Sequence, residues 1–249
     1  MRRSVLTTES LTMKWIKANS YEEMSQVGAQ IFVEQLQLKP DSVLGFATGG
    51  TPKGLYKKLV HAFETGEVSF EAATGFNLDE YIGLTPEHHK SYHYYMKQNL
   101  YQYINMPKEN IHLPKGDAAN LEEAAAHYDL DIEQAGGIDI QLLGIGVNGH
   151  IGFNEPGASI DVGTSIVKLA DSTIEANKIY FNSIDEVPKE AITMGIGSIL
   201  KAKKIVLLMS GASKQEAFDR LRSGEITEEF PASALHKHHD VTVIYAGVK

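Results

Sequence analysis

Residues 43–52 read VLGFATGGTP, and this stretch decides the fold class. Its first five residues form an apolar run with the length of a buried strand. Two glycines follow, and Thr51-Pro52 has the pattern of a helix N-cap with proline at the first helical position. The stretch therefore predicts a strand, a short glycine loop and a helix, which is the repeating unit of parallel α/β proteins.

The same alternation extends in both directions. Ser20 and Glu23 have the spacing of a capping box, and Asn120 is a third expected helix cap. Further predicted strands lie at residues 75–78, 138–143, 205–209 and 241–245, and predicted helices at 20–37, 51–66, 120–134, from 188 and from 213. Several strands are apolar on both faces. The pattern predicts a mostly parallel sheet covered by helices on both sides.

Composition excludes several classes of protein. The 249 residues contain 23 Lys+Arg and 32 Asp+Glu, a net charge of −9, which argues against binding to nucleic acid or to an anionic membrane. There is no cysteine, so disulfides and cysteine-ligated metals are excluded. No apolar run could span a bilayer and no secretion signal is evident, so we expect a soluble, cytoplasmic protein. Without an evident linker, we expect an extension over residues 1–12 and one catalytic domain over 13–249.

Ligands of parallel sheets bind beyond the carboxyl ends of the strands, which directs attention to loops 48–52, 79–84, 144–157 and 210–214. In the first loop, glycines permit close approach of the backbone to a ligand, and the following helix N-terminus favours an anion. The alternative is an ordinary turn between a strand and a helix. The loop is no Walker A motif, because the Gly-Lys-Ser/Thr ending is absent.

Residues 144–149 match the glycine pattern of dinucleotide-binding loops, but the glycines and proline that follow would break the helix that such a site requires. The loop does carry His150 and Glu155. A carboxylate near an imidazole can fix its tautomer, so the two residues are a candidate acid–base pair. The alternative is a structural histidine.

Asp79 and Glu80 directly follow a predicted strand. A carboxyl group among apolar neighbours can have its pKa raised toward neutrality and act as a general base. A solvated turn and a metal site are the alternatives. His88-His89 and the histidines at 236, 238 and 239 lack convergent carboxylates. We therefore expect no metal and no cofactor.

Four segments together resemble the glucosamine-6-phosphate deaminase family: GFATGGTP at 45–52, FNLDEY at 76–81, Ser91-Tyr92, and GIGVNGHIGFNEP at 144–156. The resemblance extends from about Met13 to Tyr245. It implies the three-layer α/β/α sandwich of ribose-5-phosphate isomerase. It also implies the conversion of glucosamine 6-phosphate and water to fructose 6-phosphate and ammonia, a hydrolase reaction of amino-sugar catabolism.

The resemblance also implies residue roles. The catalytic residues would be Asp79, Asn148, His150 and Glu155, and the phosphate-binding residues Thr48, Gly49, Gly50, Thr51 and Lys214. In these roles Asp79 would move a proton from C2 to C1, and His150, oriented by Glu155, would assist opening of the sugar ring. The expected partner is a phosphosugar, and the expected assembly is a monomer or a small homo-oligomer.

The chain departs from the family pattern in its arginines. Ile179 and Gly163 stand where family members carry arginine, and the four arginines are Arg2, Arg3, Arg220 and Arg222. The end of the chain soon after its last predicted strand resembles the shorter, non-allosteric members. Three alternatives remain open: a paralogue acting on another amino-sugar phosphate, a 6-phosphogluconolactonase, and a sugar-phosphate sensor domain.

Overall fold

The structure, a computed structural model, describes residues 13–249, so the expected extension over residues 1–12 lies outside it. The described chain forms ten strands and seven helices. The strands are β1 (Lys14–Lys17), β2 (Val43–Phe46), β3 (Thr74–Asn77), β4 (Asp79–Tyr81), β5 (Ile111–His112), β6 (Ile140–Leu143), β7 (Ser165–Lys168), β8 (Glu190–Thr193), β9 (Lys204–Ser210) and β10 (Val241–Ala246). The helices are α1 (Tyr21–Leu38), α2 (Lys53–Glu64), α3 (Tyr92–Asn99), α4 (Leu121–Gln134), α5 (Asp171–Asn177), α6 (Ile196–Leu200) and α7 (Gln215–Arg222). None of these helices is long and apolar enough to cross a membrane.

Seven strands form one parallel sheet in the order β1-β10-β9-β6-β2-β3-β5. All four residues of β2 and of β6 are buried, and so are the five central residues of β9. Helix α1 packs against β9, β10 and α2. Apolar runs that are buried on both faces are the mark of a sheet covered by helices, and the predicted α/β fold is confirmed.

Two of the three predicted helix caps are confirmed, and the third is wrong. Ser20 Oγ accepts a hydrogen bond from the Glu23 N–H at 3.1 Å, and the predicted cap Asn120 likewise accepts from Glu123 at 3.0 Å. The expected cap at Thr51 is wrong, because α2 begins at Lys53 with Pro52 as its cap. Thr51 belongs to the preceding loop, where its carbonyl accepts a hydrogen bond from a tyrosine.

A second sheet was not predicted. Strands β4, β8 and β7 form a three-stranded antiparallel sheet in that order. The helix expected from residue 188 is wrong, because residues 190–193 form β8 and hydrogen-bond to strands on both sides. Residues 79–81 are likewise a strand rather than a loop. Pairing between segments distant in sequence has overridden the local helix signal of Pro188.

Candidate active site

A cavity of about 300 Å³ lies where the carboxyl ends of β2, β6 and β9 meet the start of β4. Its wall includes every predicted site residue except Glu155. These residues are Thr48, Gly49, Gly50, Thr51, Asp79, Asn148, His150 and Lys214. Three loops and one strand, separated by up to 166 positions in the chain, thus converge on one site.

The glycine loop at 48–51 is held by tyrosines through its carbonyl groups. The Tyr95 hydroxyl donates to the Gly49 carbonyl at 2.5 Å, and the Tyr21 hydroxyl donates to the Thr51 carbonyl at 2.9 Å. The Tyr56 hydroxyl forms hydrogen bonds with the backbone of Ala47, the residue that precedes the loop. These contacts fix the backbone of the loop.

The same loop has backbone donors without partners in the described fold. Within residues 13–249, the N–H groups of Gly49, Gly50 and Thr51 have no hydrogen-bond acceptor in the fold. Gly49 has φ of +103°, a conformation that an L side chain rarely adopts. Helix α2 begins directly after the loop without a side-chain cap. Free N–H groups beside the positive end of a helix suit an anion.

Lys214 is the one lysine or arginine among the described residues that line the cavity. It lies in a short turn after β9, and its Nζ donates to the Ile145 carbonyl at 2.6 Å. Burial lowers the pKa of this amine. An ammonium group has three donors, so two remain for a ligand.

Asp79 is the first residue of β4, and the residue is 6% exposed. Burial raises its pKa to about 8, and the nearby charge of Glu80 contributes in the same direction. A carboxyl group with this pKa is able both to accept and to return a proton near neutral pH.

Glu80 is also buried, but its carboxylate is fully engaged in hydrogen bonds within the fold. Its Oε1 accepts hydrogen bonds from the N–H groups of Tyr81 and Tyr92, and its Oε2 accepts from the N–H of His93. The His93 ring lies 2.7 Å from the same oxygen. Glu80 therefore binds the N-terminus of α3, where a negative charge is favourable.

His150 is connected to Glu155 mainly through Asn148. Its Nδ1 lies 2.7 Å from Asn148 Oδ1, and Asn148 Nδ2 donates to Glu155 Oε2 at 3.0 Å. The direct distance from Nδ1 to Glu155 is 3.6 Å. The predicted pair is therefore close, but the residue in hydrogen-bond contact with the imidazole is Asn148. Burial lowers the pKa of His150, with a further contribution from Lys214, against an opposing effect of Glu155.

Two glycines near His150 make room for neighbouring rings. A Cβ on Gly146 would lie 2.2 Å from two atoms of the imidazole, and a Cβ on Gly149 would lie 2.2 Å from the Phe230 ring. Residues 144–157 contain no helix, which agrees with the rejection of a dinucleotide site. Gly146 therefore permits the packing of the histidine, and Gly149 that of Phe230.

Helix α5 and the turn after it were not expected at the site. They contribute Ser172, Thr173, Ala176, Asn177 and Tyr180 to the cavity wall. Their residue types occur on any polar helix, and no predicted strand precedes them, so the sequence carried no specific signal. Tyr92, which lines the cavity, was part of the quoted resemblance only.

Of the arginine positions that the structure describes, none lines the cavity. Ile179 is exposed, and Gly163 lies beside Asp129. Arg220 and Arg222 stack on the rings of Phe230 and Trp15, with Cζ at 4.6 and 4.5 Å from the ring centroids. Among residues 13–249, no group of three or more His, Cys, Asp or Glu side chains is arranged to hold a metal ion.

A glycine loop with unpaired N–H groups, a buried carboxyl with a raised pKa and a histidine held by an amide line one cavity at the strand ends of a parallel sheet. Such features suit an α/β enzyme that binds a small anionic substrate and transfers its protons. A family model described as glucosamine-6-phosphate isomerases/6-phosphogluconolactonase matches residues 18–244. The chain belongs to this family.

Relatives and solved structures agree with this assignment. A glucosamine-6-phosphate deaminase of Lysinibacillus sphaericus (strain C3-41) is 55% identical over 94% of this chain and 99% of its own. One of Thermoanaerobacter sp. (strain X514) is 54% identical over 93% of this chain and 92% of its own. A solved structure described as a monomeric glucosamine-6-phosphate deaminase has a TM-score of 0.93 at 49% identity, covering 94% of this chain and 97% of the other. A 6-phosphogluconolactonase from Trypanosoma cruzi, with a TM-score of 0.76 at 20% identity over 95% of both chains, shares the fold.

Proposed function

We propose that this protein is a glucosamine-6-phosphate deaminase, an enzyme of amino-sugar catabolism that converts glucosamine 6-phosphate and water to fructose 6-phosphate and ammonia. The observation that carries the proposal is the presence of Asp79 and His150 on the wall of the same cavity as the glycine loop and Lys214. The relatives that are more than half identical, which are named glucosamine-6-phosphate deaminase, support the choice of substrate.

The first steps are binding and ring opening. The N–H groups of the 48–51 loop and the ammonium of Lys214 bind the phosphate. The Nδ1 of His150 donates to Asn148, so its Nε2 has a free lone pair. This nitrogen removes the proton of the C1 hydroxyl and returns a proton to the ring oxygen as the C1–O5 bond breaks.

The later steps move a carbon-bound proton. Ionised Asp79 takes the proton from C2 while the ammonium group of the substrate passes a proton to O1, which gives an enolamine. Asp79 then returns its proton to C1, which leaves a protonated imine at C2. Water adds to C2, and the C–N bond breaks to release ammonia and form the ketone. Cleavage of this bond by water makes the enzyme a hydrolase in the proposed reaction.

A coupled assay tests the proposal. Purified protein should release ammonia and form fructose 6-phosphate from glucosamine 6-phosphate, and it should prefer this substrate strongly to glucosamine. The alternative activity, hydrolysis of 6-phosphogluconolactone, needs no base for a carbon-bound proton. Lactone hydrolysis without ammonia release would contradict the proposal, and binding of the phosphosugar without any turnover would favour a sensor.

Location and assembly follow from the same proposal. A phosphorylated sugar is charged and does not cross a bilayer, so the enzyme would act in the cytoplasm. Of the two assemblies considered, monomer and small homo-oligomer, the monomer is favoured by the description of the structural neighbour as monomeric. Light scattering of the purified protein would distinguish them.

A further inference from the structure

Glu155 is the one predicted site residue that does not line the cavity, yet hydrogen bonds hold both of its oxygens. Its Oε2 accepts from Asn148 Nδ2 at 3.0 Å, and its Oε1 accepts from the Thr173 hydroxyl at 2.6 Å. Asn148 is in the loop that carries His150, whereas Thr173 is in α5. Glu155 therefore joins the histidine loop to a helix that forms another wall of the cavity.

The chemistry of these groups gives the hydrogen bonds a single direction. An ionised carboxylate only accepts hydrogen bonds, so Thr173 and the Asn148 amide must both donate to Glu155. The Asn148 NH₂ group then faces Glu155, and its oxygen faces His150. That oxygen accepts from the His150 backbone N–H at 3.1 Å and from Nδ1 at 2.7 Å. The proton of neutral His150 is consequently on Nδ1, and the lone pair is on Nε2.

The position of Thr173 in its helix leaves its hydroxyl free for this bond. Thr173 is the third residue of α5, and it is buried. The helix cap at Ala170 has no side-chain hydrogen bond, and the Thr173 hydroxyl bonds to Glu155 rather than to the helix backbone. The same helix presents Ala176 and Asn177 to the cavity. The place of α5 and the rotamer of Glu155 are thus linked by one bond.

We propose that Thr173 is a positioning residue that holds Glu155 and, through Glu155 and Asn148, keeps the His150 proton on Nδ1 and Nε2 free to act as a base. Without the threonine donor, Glu155 can rotate and release the Asn148 amide. The amide can then turn over and donate to Nδ1, which places the proton on Nε2. The kinetic consequence rests on the proposed deaminase function, whereas the tautomer of His150 does not.

Thr173→Val tests the proposal because valine has the same shape and lacks the hydroxyl. We expect kcat for glucosamine 6-phosphate to fall about 10- to 100-fold, a loss typical of misplaced catalytic groups, with KM changed by less than about threefold. Thr173→Ser keeps the donor and should retain kcat within about threefold of the wild type. Glu175→Gln, which removes an exposed carboxylate from the same helix, is the matched control and should behave as wild type.

The second measurement is independent of activity. ¹⁵N NMR of histidine-labelled protein reports which ring nitrogen of His150 carries the proton. We expect a protonated Nδ1 in the wild type and in Thr173→Ser, and a mixture of the two tautomers in Thr173→Val.

An unchanged tautomer in Thr173→Val, or an equal loss of kcat in the serine and valine variants, would overturn the inference. If the wild type has no deaminase activity, the NMR result still decides the role of Thr173, and only the proposed function fails.

Discussion

The two faces of β4 carry carboxyl groups that differ in their hydrogen-bond partners. Asp79 and Glu80 are adjacent, both are buried, and their side chains leave the strand on opposite sides. Glu80 accepts hydrogen bonds from three backbone N–H groups and contacts the His93 ring. Asp79 faces the cavity, and burial raises its pKa to about 8. Burial alone therefore does not distinguish the carboxyl group that lines the cavity from the one that holds the fold. The distinction lies in whether the fold supplies partners.

The same contrast applies to the other ionisable residues. Asp139 is buried at the start of the sheet, where Lys39, Lys203 and the Val43 N–H bind its carboxylate. These bonds outweigh burial and hold its pKa below the ordinary value. Lys214 instead uses one of its three ammonium donors for the Ile145 carbonyl, and His150 uses one ring nitrogen for Asn148. The other donors and the other ring nitrogen are left for a ligand in the cavity. We expect changes at cavity-facing groups to affect turnover and changes at satisfied groups to affect stability.

Asp79→Asn is the strongest test of this contrast. The amide has nearly the same volume but cannot accept the C2 proton, so kcat should fall by at least about 10²–10⁴-fold, the usual contribution of a general base. The direct measurement is exchange of the C2 hydrogen of glucosamine 6-phosphate with solvent. Exchange at the wild-type rate in the variant would show that Asp79 is not the base.

The same variant should be more stable than the wild type at neutral and higher pH. The folded-state pKa of Asp79, about 8, lies above the unfolded value of 3.8. Between these values the folded protein holds a proton that the unfolded chain has lost, so the wild type loses stability as pH rises through this window. Asparagine removes this loss, and we expect a gain on the order of 2–4 kcal/mol at pH 8. Urea unfolding at pH 4.5 and pH 8 would reveal it, and an equal difference at both values would contradict the assignment.

The parallel sheet was predictable and the antiparallel sheet was not, for a physical reason. β2 and β9 are runs of apolar residues, because both faces of the central sheet are covered. β7 is only partly buried and β8 follows a proline, so neither segment has a periodicity that identifies a strand. Their structure comes from pairing with each other and with β4, which is contact between distant segments.

The site was predictable where it depends on strand ends. The loops at 48–52, 144–157 and 210–214 follow strands of one sheet, and parallel strands bring their carboxyl ends together. Asn148 entered the predicted set through the family resemblance, but its place between His150 and Glu155 depends on the path of a glycine-rich loop. Gly149 and Gly152, with φ of +86° and +56°, shape that path. The contribution of α5 depends on packing alone.

His150→Gln extends the comparison to two histidines. Each has a ring nitrogen 2.7 Å from a side-chain oxygen, of Asn148 for His150 and of Glu80 for His93, but of the two only His150 lines the cavity. His150→Gln should lower kcat for the closed-ring substrate by about 10²-fold, because ring opening loses its base, while an analogue fixed in the open-chain form should be processed comparatively well. His93→Gln is the matched control and should retain turnover. Equal losses on closed and open forms would remove His150 from the ring-opening step.

Lys214→Ala tests the phosphate side of the cavity. No arginine of the described chain lines the cavity, so the loop N–H groups and this single lysine would carry the phosphate. We expect a loss of about 1.5–3 kcal/mol, the range for hydrogen bonds to charged groups, or about 10- to 150-fold in kcat/KM for glucosamine 6-phosphate. Lys203→Ala, which removes one of the two lysines on Asp139, is the matched control and should change stability only. If the wild type shows no preference for the phosphorylated sugar over glucosamine, the phosphate site is wrong.

Glu80→Gln should have the smallest effect on turnover and the most informative one on pH. The variant keeps the shape of the side chain but loses the charge that binds the α3 N-terminus, so we expect it to be less stable by about 1–3 kcal/mol. The Glu80 charge also contributes to the raised pKa of Asp79, although burial contributes more. Removal of that charge should move the acidic limb of the kcat profile, where Asp79 must ionise, to lower pH with the maximal rate nearly unchanged. Glu175→Gln is the matched control, because it removes an exposed carboxylate and should leave the acidic limb in place. Glu155 is unsuitable as a control, since it is linked to His150 by way of Asn148. An acidic limb that moves to higher pH in Glu80→Gln, or a loss of kcat as large as that of Asp79→Asn, would show that the two faces of β4 are not separate in function.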